Sequence, residues 1–163
     1  MIERTLVLIK PDGVQRALMG KIISRFEDAG LKIIGLKMVW VDEAFAKKHY
    51  TEDLAKRRGE KVRKLMLQLL TSGPVVAMAL EGISAIEIVR KMVGDTEPKK
   101  AAPGTIRGDF THVTFQYADS KNQPVRNLIH ASADQKDAKS EVNLWFSAKE
   151  LHSYKTVHEV HIF

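Results

Sequence analysis

The chain has 163 residues, 44% hydrophobic and 28% charged, with a formal charge of +6 and an isoelectric point near 9.5. That length suits one globular domain over 1–163; no run reaches the ~20 apolar residues of a membrane span, and no secretory leader opens the chain, so a cytoplasmic protein is expected. The lack of cysteine excludes disulfides, thiolate nucleophiles and Cys-based zinc sites, while the positive charge favours anionic partners such as nucleotides, nucleic acid or membrane surfaces without choosing among them.

Thr5-Leu6-Val7-Leu8-Ile9 is a β-type run stopped by Lys10-Pro11-Asp12-Gly13, which leaves a lysine at a strand tip. Ile22, Ile23 and Phe26 recur at helical spacing, and Gly30 stands where a left-handed C-terminal residue is expected. Residues 31–41 read as a strand with charge admitted on one side. Two helical segments follow, 43–50 and 58–70, the second with Val62, Leu65, Met66, Leu69 and Leu70 on a stripe that reads as core.

After the turn Ser72-Gly73-Pro74, residues 75–81 form a strand, and Ser84-Ala85-Ile86-Glu87 spells a capping box. The helix it opens has Ile86, Val89 and Val93 inward and ends at Gly94. Residues 95–108 are loop-like. Residues 112–117 alternate as a strand, and 118–124 read as the turn of a surface hairpin. Asn127-Leu128-Ile129-His130-Ala131-Ser132 then delivers an imidazole to a helix start, with Ser132 and Gln135 as a second capping box. Ala138 and Val142 mark that helix, and His158 and His161 near the C-terminus read as surface or strand residues without a third metal ligand. The order β-α-β, helices, β-α, loop, β-α is compatible with a ferredoxin-like split βαβ sheet with helices packed on one face.

Taken alone, His130 is either packed and hydrogen-bonded at a strand end or placed to meet an anion at a helix N-terminus. The usual nucleotide cradles are missing. Six residues separate Gly13 from Gly20-Lys21, and Ile22 stands where a P-loop needs Ser or Thr. No Gly-x-Gly-x-x-Gly occurs.

Lys10-Pro11-Asp12-Gly13-Val14, Gly104-Thr105-Ile106-Arg107-Gly108-Asp109-Phe110 and Asn127-x-x-His130-x-Ser132 together resemble the nucleoside diphosphate kinase family. His49-Tyr50, Ser72-Gly73-Pro74-Val75-Val76-Ala77-Met78, Arg90 with Gly94-x-Thr96, and Glu141 with Leu144-Trp145-Phe146 extend the resemblance over nearly the whole chain. It implies an α+β ferredoxin-like sandwich with a four-stranded antiparallel sheet covered by helices. It also implies ping-pong transfer of a γ-phosphate from a nucleoside triphosphate to a nucleoside diphosphate through a phosphohistidine at His130. An imidazole of ordinary pKa, about 6.5, is largely unprotonated at pH 7 and attacks phosphorus without a dedicated base.

By the same resemblance Glu141 helps orient the ring, Ser132 supports that carboxylate, and Tyr50 lies close to the nucleophile. Lys10, Arg90, Arg107 and Thr96 hold phosphates, Lys10 and Asn127 meet the sugar hydroxyls, and Mg²⁺ is bound mainly through the nucleotide. A homo-oligomer, a hexamer or tetramer built from dimers, is implied, with no membrane partner and no requirement for nucleic acid. Two departures stand out. The family's base-stacking phenylalanine is replaced near Val62, and 111–126 is longer than the family usually carries. The competing classes are an RNA-binding sheet, which lacks its aromatic signature, and a silent scaffold, which has no chemical reason to keep the matched set.

Overall fold

The computed structural model describes residues 1–162. In chain order they form β1 (Ile2–Ile9), α1 (Pro11–Gln15), α2 (Met19–Asp28), β2 (Lys32–Val39), α3 (Glu43–His49), α4 (Glu52–Arg58), α5 (Glu60–Thr71) and β3 (Val75–Ile83). Then come α6 (Ala85–Val93), α7 (Ile106–Phe110), α8 (Phe115–Ser120), β4 (Ile129–Ala131), α9 (Gln135–Trp145) and α10 (Glu159–Ile162), with 3-10 turns at Pro98–Lys100 and Ala148–Glu150. The strands make one sheet in the order β2-β3-β1-β4, each neighbouring pair antiparallel. This is the ferredoxin-like arrangement. No helix among the described residues is long and apolar enough to cross a membrane.

The central strands do not alternate. Thr5 to Ile9 of β1 and Val75 to Leu80 of β3 are buried without a break, and such runs require cover on both sides. Helices therefore pack on both faces, not one. Ile22 and Phe26 of α2 and Val89 and Val93 of α6 lie with Val7, Ile9, Met78 and Leu80. Ala46 of α3, Leu67 and Leu70 of α5, and Val142 and Trp145 of α9 lie with Leu6, Leu8, Ala77 and Ala79 on the other.

Several local expectations give way to tertiary contacts. The strand and hairpin expected over 112–124 are replaced by α8, because Thr114 Oγ1 accepts the Tyr117 N–H at 3.0 Å and Glu97 Oε1 accepts the Phe115 N–H at 3.0 Å. The first turn of a helix is thereby satisfied locally, with no strand needed to pair it. Neither capping box forms. Ser84 is left-handed at φ 48° and the Ile86 N–H goes to Glu3 Oε2 at 3.2 Å, while α9 is capped by Asp134, which accepts from the Asp137 N–H at 2.8 Å. The helix expected over 58–70 is broken at Gly59, whose φ of 93° admits a sharp change of direction between α4 and α5. Gly30, at φ 77°, ends α2 as expected. His158 and His161 are exposed, and His161 lies in the helical turn α10 rather than a strand.

Candidate active site

The strand carrying His130 enters the sheet through a bend. Leu128 is fully buried at φ 70°, a conformation that L side chains rarely take and that must be held by its surroundings. Two bonds hold it. Its N–H donates to Asp12 Oδ2 at 2.8 Å, and its carbonyl accepts the Lys10 N–H at 2.8 Å. Gly13 lets these segments meet, since a Cβ there would lie 3.0 Å from the Leu128 carbonyl oxygen and 2.8 Å from Ile9 Cγ2. The register β1 to β4 then sets His130 opposite Leu8.

His130 Nε2 lies 3.0 Å from each oxygen of Glu141. Since an ionised carboxylate only accepts, Nε2 carries the ring proton and Nδ1 keeps its lone pair. Among the described residues Nδ1 has no hydrogen-bond partner. Ser132 Oγ donates to Glu141 Oε2 at 2.6 Å and accepts the Leu6 N–H at 3.2 Å, so the carboxylate is tied to the backbone of β1. Burial pushes the Glu141 carboxyl up, but the charge and hydrogen bond of His130, with His49 and Ser132, outweigh it and hold it at about 2.

His49, which in the sequence carries no signal beyond the pair His49-Tyr50, completes the group around His130. Its ring meets that of His130 edge to face, 4.6 Å between centroids at 86°, and its Nδ1 lies 4.0 Å from Glu141 Oε1. Trp145 Nε1 donates to that Nδ1 at 3.3 Å, which places the His49 proton on Nε2, a buried atom without a partner among the described residues. Burial, with the charge of His130, pushes its pKa down to about 3 and keeps it neutral. The only sequence signal was its place beside Tyr50 at the end of α3.

Lys10 is 3% exposed and its ammonium donates to Asn127 Oδ1. Burial lowers its pKa to about 8, opposed by Asp12 and reinforced by Arg107. Asn127 Nδ2 donates to the Thr96 carbonyl at 2.7 Å. Arg107 is buried and donates to three carbonyls: Nε to Asn127 at 3.1 Å, Nη1 to Gly94 at 3.0 Å and Nη2 to Ile129 at 2.6 Å. It therefore staples the approach to His130 while two of its five N–H groups stay uncommitted. Burial and Arg90 lower its pKa to about 10. Arg90 and Thr96 are exposed; Tyr50 is partly buried, its ring 4.6 Å from that of His49 and its phenol pKa raised by burial.

These residues share one cavity of about 580 Å³. Lys10, Tyr50, Val62, Arg90, Thr96, Arg107, Asn127, His130 and Glu141 all line it; Ser132 does not, and reaches it through Glu141. Val62, 37% exposed, lines the cavity at the place of the family's base-stacking phenylalanine, and Leu54, Leu65 and Met66 join it in an apolar wall, so Leu65 and Met66 of the stripe expected to be core border the cavity as well. Only Leu67, Leu69 and Leu70 of α5 are buried. The 111–126 segment, whose place the sequence leaves open between a subunit boundary and the edge of the site, contributes Phe115, Asp119, Gln123, Pro124 and Val125 to the lining.

The family model for nucleoside diphosphate kinase matches residues 3–151. A nucleoside diphosphate kinase of Borreliella burgdorferi is 46% identical over 156 residues, covering 95% of this chain and 93% of that protein, and one of Pyrococcus horikoshii is 50% identical over 93% and 90%. A solved transition state mimic of the Borrelia burgdorferi enzyme, with bound vanadate and ADP, superposes with a TM-score of 0.97 at 44% identity, covering 99% of this chain and 96% of that one. A Pyrobaculum aerophilum NDP kinase gives a TM-score of 0.87 at 36% identity over 94% of this chain and all of that one. With the family model matched over residues 3–151 and relatives 46% and 50% identical over 95% and 93% of its length, the chain belongs to the nucleoside diphosphate kinase family.

Proposed function

We propose that His130 carries the phosphoryl group in this family's reaction, and that Nδ1 is the atom that carries it. The supporting observation is the hold of Glu141 on Nε2, 3.0 Å from both oxygens, which leaves Nδ1 of the cavity-lining His130 without a partner among the described residues. Nδ1 attacks the γ-phosphorus of a nucleoside triphosphate, an N–P bond forms as the bond to the β,γ-bridging oxygen breaks, and the diphosphate leaves. A terminal oxygen of an incoming diphosphate then attacks the same phosphorus and the N–P bond breaks. Through both halves the Nε2 proton stays with the Glu141 pair, so the ring gains and loses only the phosphoryl group. No general base is required.

Charge on the transferring oxygens is met by Lys10, Arg90 and the free N–H groups of Arg107, which come from three separate segments. Thr96 adds a hydroxyl, Asn127 positions Lys10 and meets the sugar with it, and Tyr50 stands beside the histidine pair. Val62 covers the base. Mg²⁺ takes oxygen ligands, whereas the ligand cluster found among the described residues is His49, His130 and Glu141, with donor atoms within 4.8 Å of one another, the carboxylate already bonded to His130 and Ser132, and Nδ1 of His49 to Trp145. This donor set does not suit Mg²⁺, so the ion would be held by the nucleotide's own phosphates and no protein side chain is assigned to it. When bound there, the ion neutralises phosphate charge.

A homo-oligomer built from dimers belongs to the same reading. Leu36, Met38 and Trp40, 54%, 53% and 68% exposed, line the edge strand β2 and its end, the kind of apolar edge that proteins cover. A single domain is proposed on the continuous sheet, and a cytoplasmic location with it, for which the absence of cysteine is permissive. The RNA-binding reading loses its platform, because both faces of the sheet are under helices.

The test is to mix purified protein with γ-labelled ATP and Mg²⁺, recover acid-labile, base-stable label on the protein, and chase it with a nucleoside diphosphate. Label that persists in His130→Ala, or that does not chase, overturns the mechanism.

A further inference from the structure

Among the described residues the cavity has one aromatic side chain outside the group of His49, Tyr50 and His130, and it is Phe115. We propose, building on the phosphoryl-transfer reading, that α8 forms the base-binding wall of the nucleotide cavity and that Phe115 is the residue on which the nucleobase stacks. The α4 and α5 side offers Leu54, Val62, Leu65 and Met66, which cover apolar surface but have no π face. Phe115 is 36% exposed, an open ring in a cavity large enough for a whole nucleotide.

The wall is fixed in position relative to the phosphate groups. Glu97, 7% exposed, accepts the Phe115 N–H on Oε1 at 3.0 Å and meets Lys100 Nζ on Oε2 at 3.0 Å. Its neighbour Thr96 holds the Asn127 amide through its carbonyl. One buried carboxylate therefore ties the first residue of α8 to the loop that positions Asn127 and Lys10. Phe115 and Asp119 are four apart on α8, on one face, and both line the cavity. An anionic Asp119 repels phosphate, so this face suits the neutral, hydrogen-bonding part of the nucleotide. Stacking on a phenylalanine ring tolerates every base, which matches a site that accepts nucleosides as a class.

The test compares the affinities of ADP and inorganic tripolyphosphate, which has no base, for wild type, Phe115→Ala, Phe115→Leu and Phe115→Trp by calorimetry. Expected is an ADP affinity weakened about tenfold in the Ala and Leu variants and regained in the Trp variant, with tripolyphosphate binding unchanged in all. An ADP affinity within twofold of wild type in Phe115→Leu overturns the proposal. So does an equal loss for tripolyphosphate, which would show a collapsed site rather than a lost stack. The readout needs no turnover: failure of His130 labelling would sink the phosphohistidine mechanism while leaving this result legible.

Discussion

The carboxylate of Asp12 accepts the backbone N–H of Leu128 at 2.8 Å, and through that bond the turn after β1 fixes the bend that presents His130. Leu128 is fully buried at φ 70°, so its N–H has no water to turn to. Asp12→Ala leaves that donor unpaired, and a loss of about 1–3 kcal/mol of stability is expected, read as a lower urea midpoint at unchanged slope. Since Asp12 also raises the Lys10 pKa, the same variant should lower it further.

Lys10 supplies an alkaline limit. Burial brings its pKa to about 8, so above that pH the ammonium turns neutral and, under the proposed phosphate role of Lys10, the free enzyme loses a cation from the site. The kcat/KM profile, which reports free-enzyme groups, should fall above about pH 8, while kcat, measured with phosphates already bound beside the lysine, should hold to higher pH. Asp12→Ala should move the kcat/KM limb to lower pH. A limb at the same position in Lys10→Arg would assign it to another group.

Glu141→Gln removes the carboxylate that fixes both the proton and the direction of the His130 ring. A fall in kcat of about 10²-fold is expected, the size of a modest misplacement of a reacting group, with slower formation of the phosphoenzyme in single-turnover labelling. Ser132→Ala should lower it less, since His130 retains both carboxylate oxygens.

His49 makes acid destabilise the fold. Its folded pKa is about 3 against an ordinary 6.5, so between these values the unfolded chain binds the extra proton and stability falls as pH is lowered. Its contribution is complete above pH 6.5, and the slope it sets is up to about 1.4 kcal/mol per pH unit. Glu141, depressed from 4.5 to about 2, adds its loss only below pH 4.5. Urea denaturation of His49→Gln, which keeps an acceptor for Trp145, should therefore show a flatter pH dependence between 6.5 and 4.5.

What the sequence by itself determined is the set of groups and their order. Lys10 at a strand tip, Arg107, Asn127 and His130 are chemically specific residues in short motifs, and motifs survive without knowledge of the fold. The apolar runs of β1 and β3, the helical stripes at Ile22 and Val89, and the left-handed Gly30 are local signals, and the structure keeps each of them. The tertiary structure decided where short polar side chains spend their hydrogen bonds. Ser132 is spelled as an N-cap but serves Glu141 and the Leu6 N–H, and Ile86 takes its cap from Glu3, a partner 83 positions away.

The same holds for the surroundings of His130. Alternation at 112–117 reads as a strand, yet Thr114 and the distant Glu97 satisfy a helical first turn and bring Phe115 to the cavity. The stripe on α5 reads as core apart from the place of Val62 near the base, and only packing determines that Leu67, Leu69 and Leu70 go inward while Leu65 and Met66 border the cavity beside Val62. A hydrogen bond or a buried face depends on what the rest of the chain brings within reach, and a single sequence prescribes the residue that reaches without prescribing what it meets.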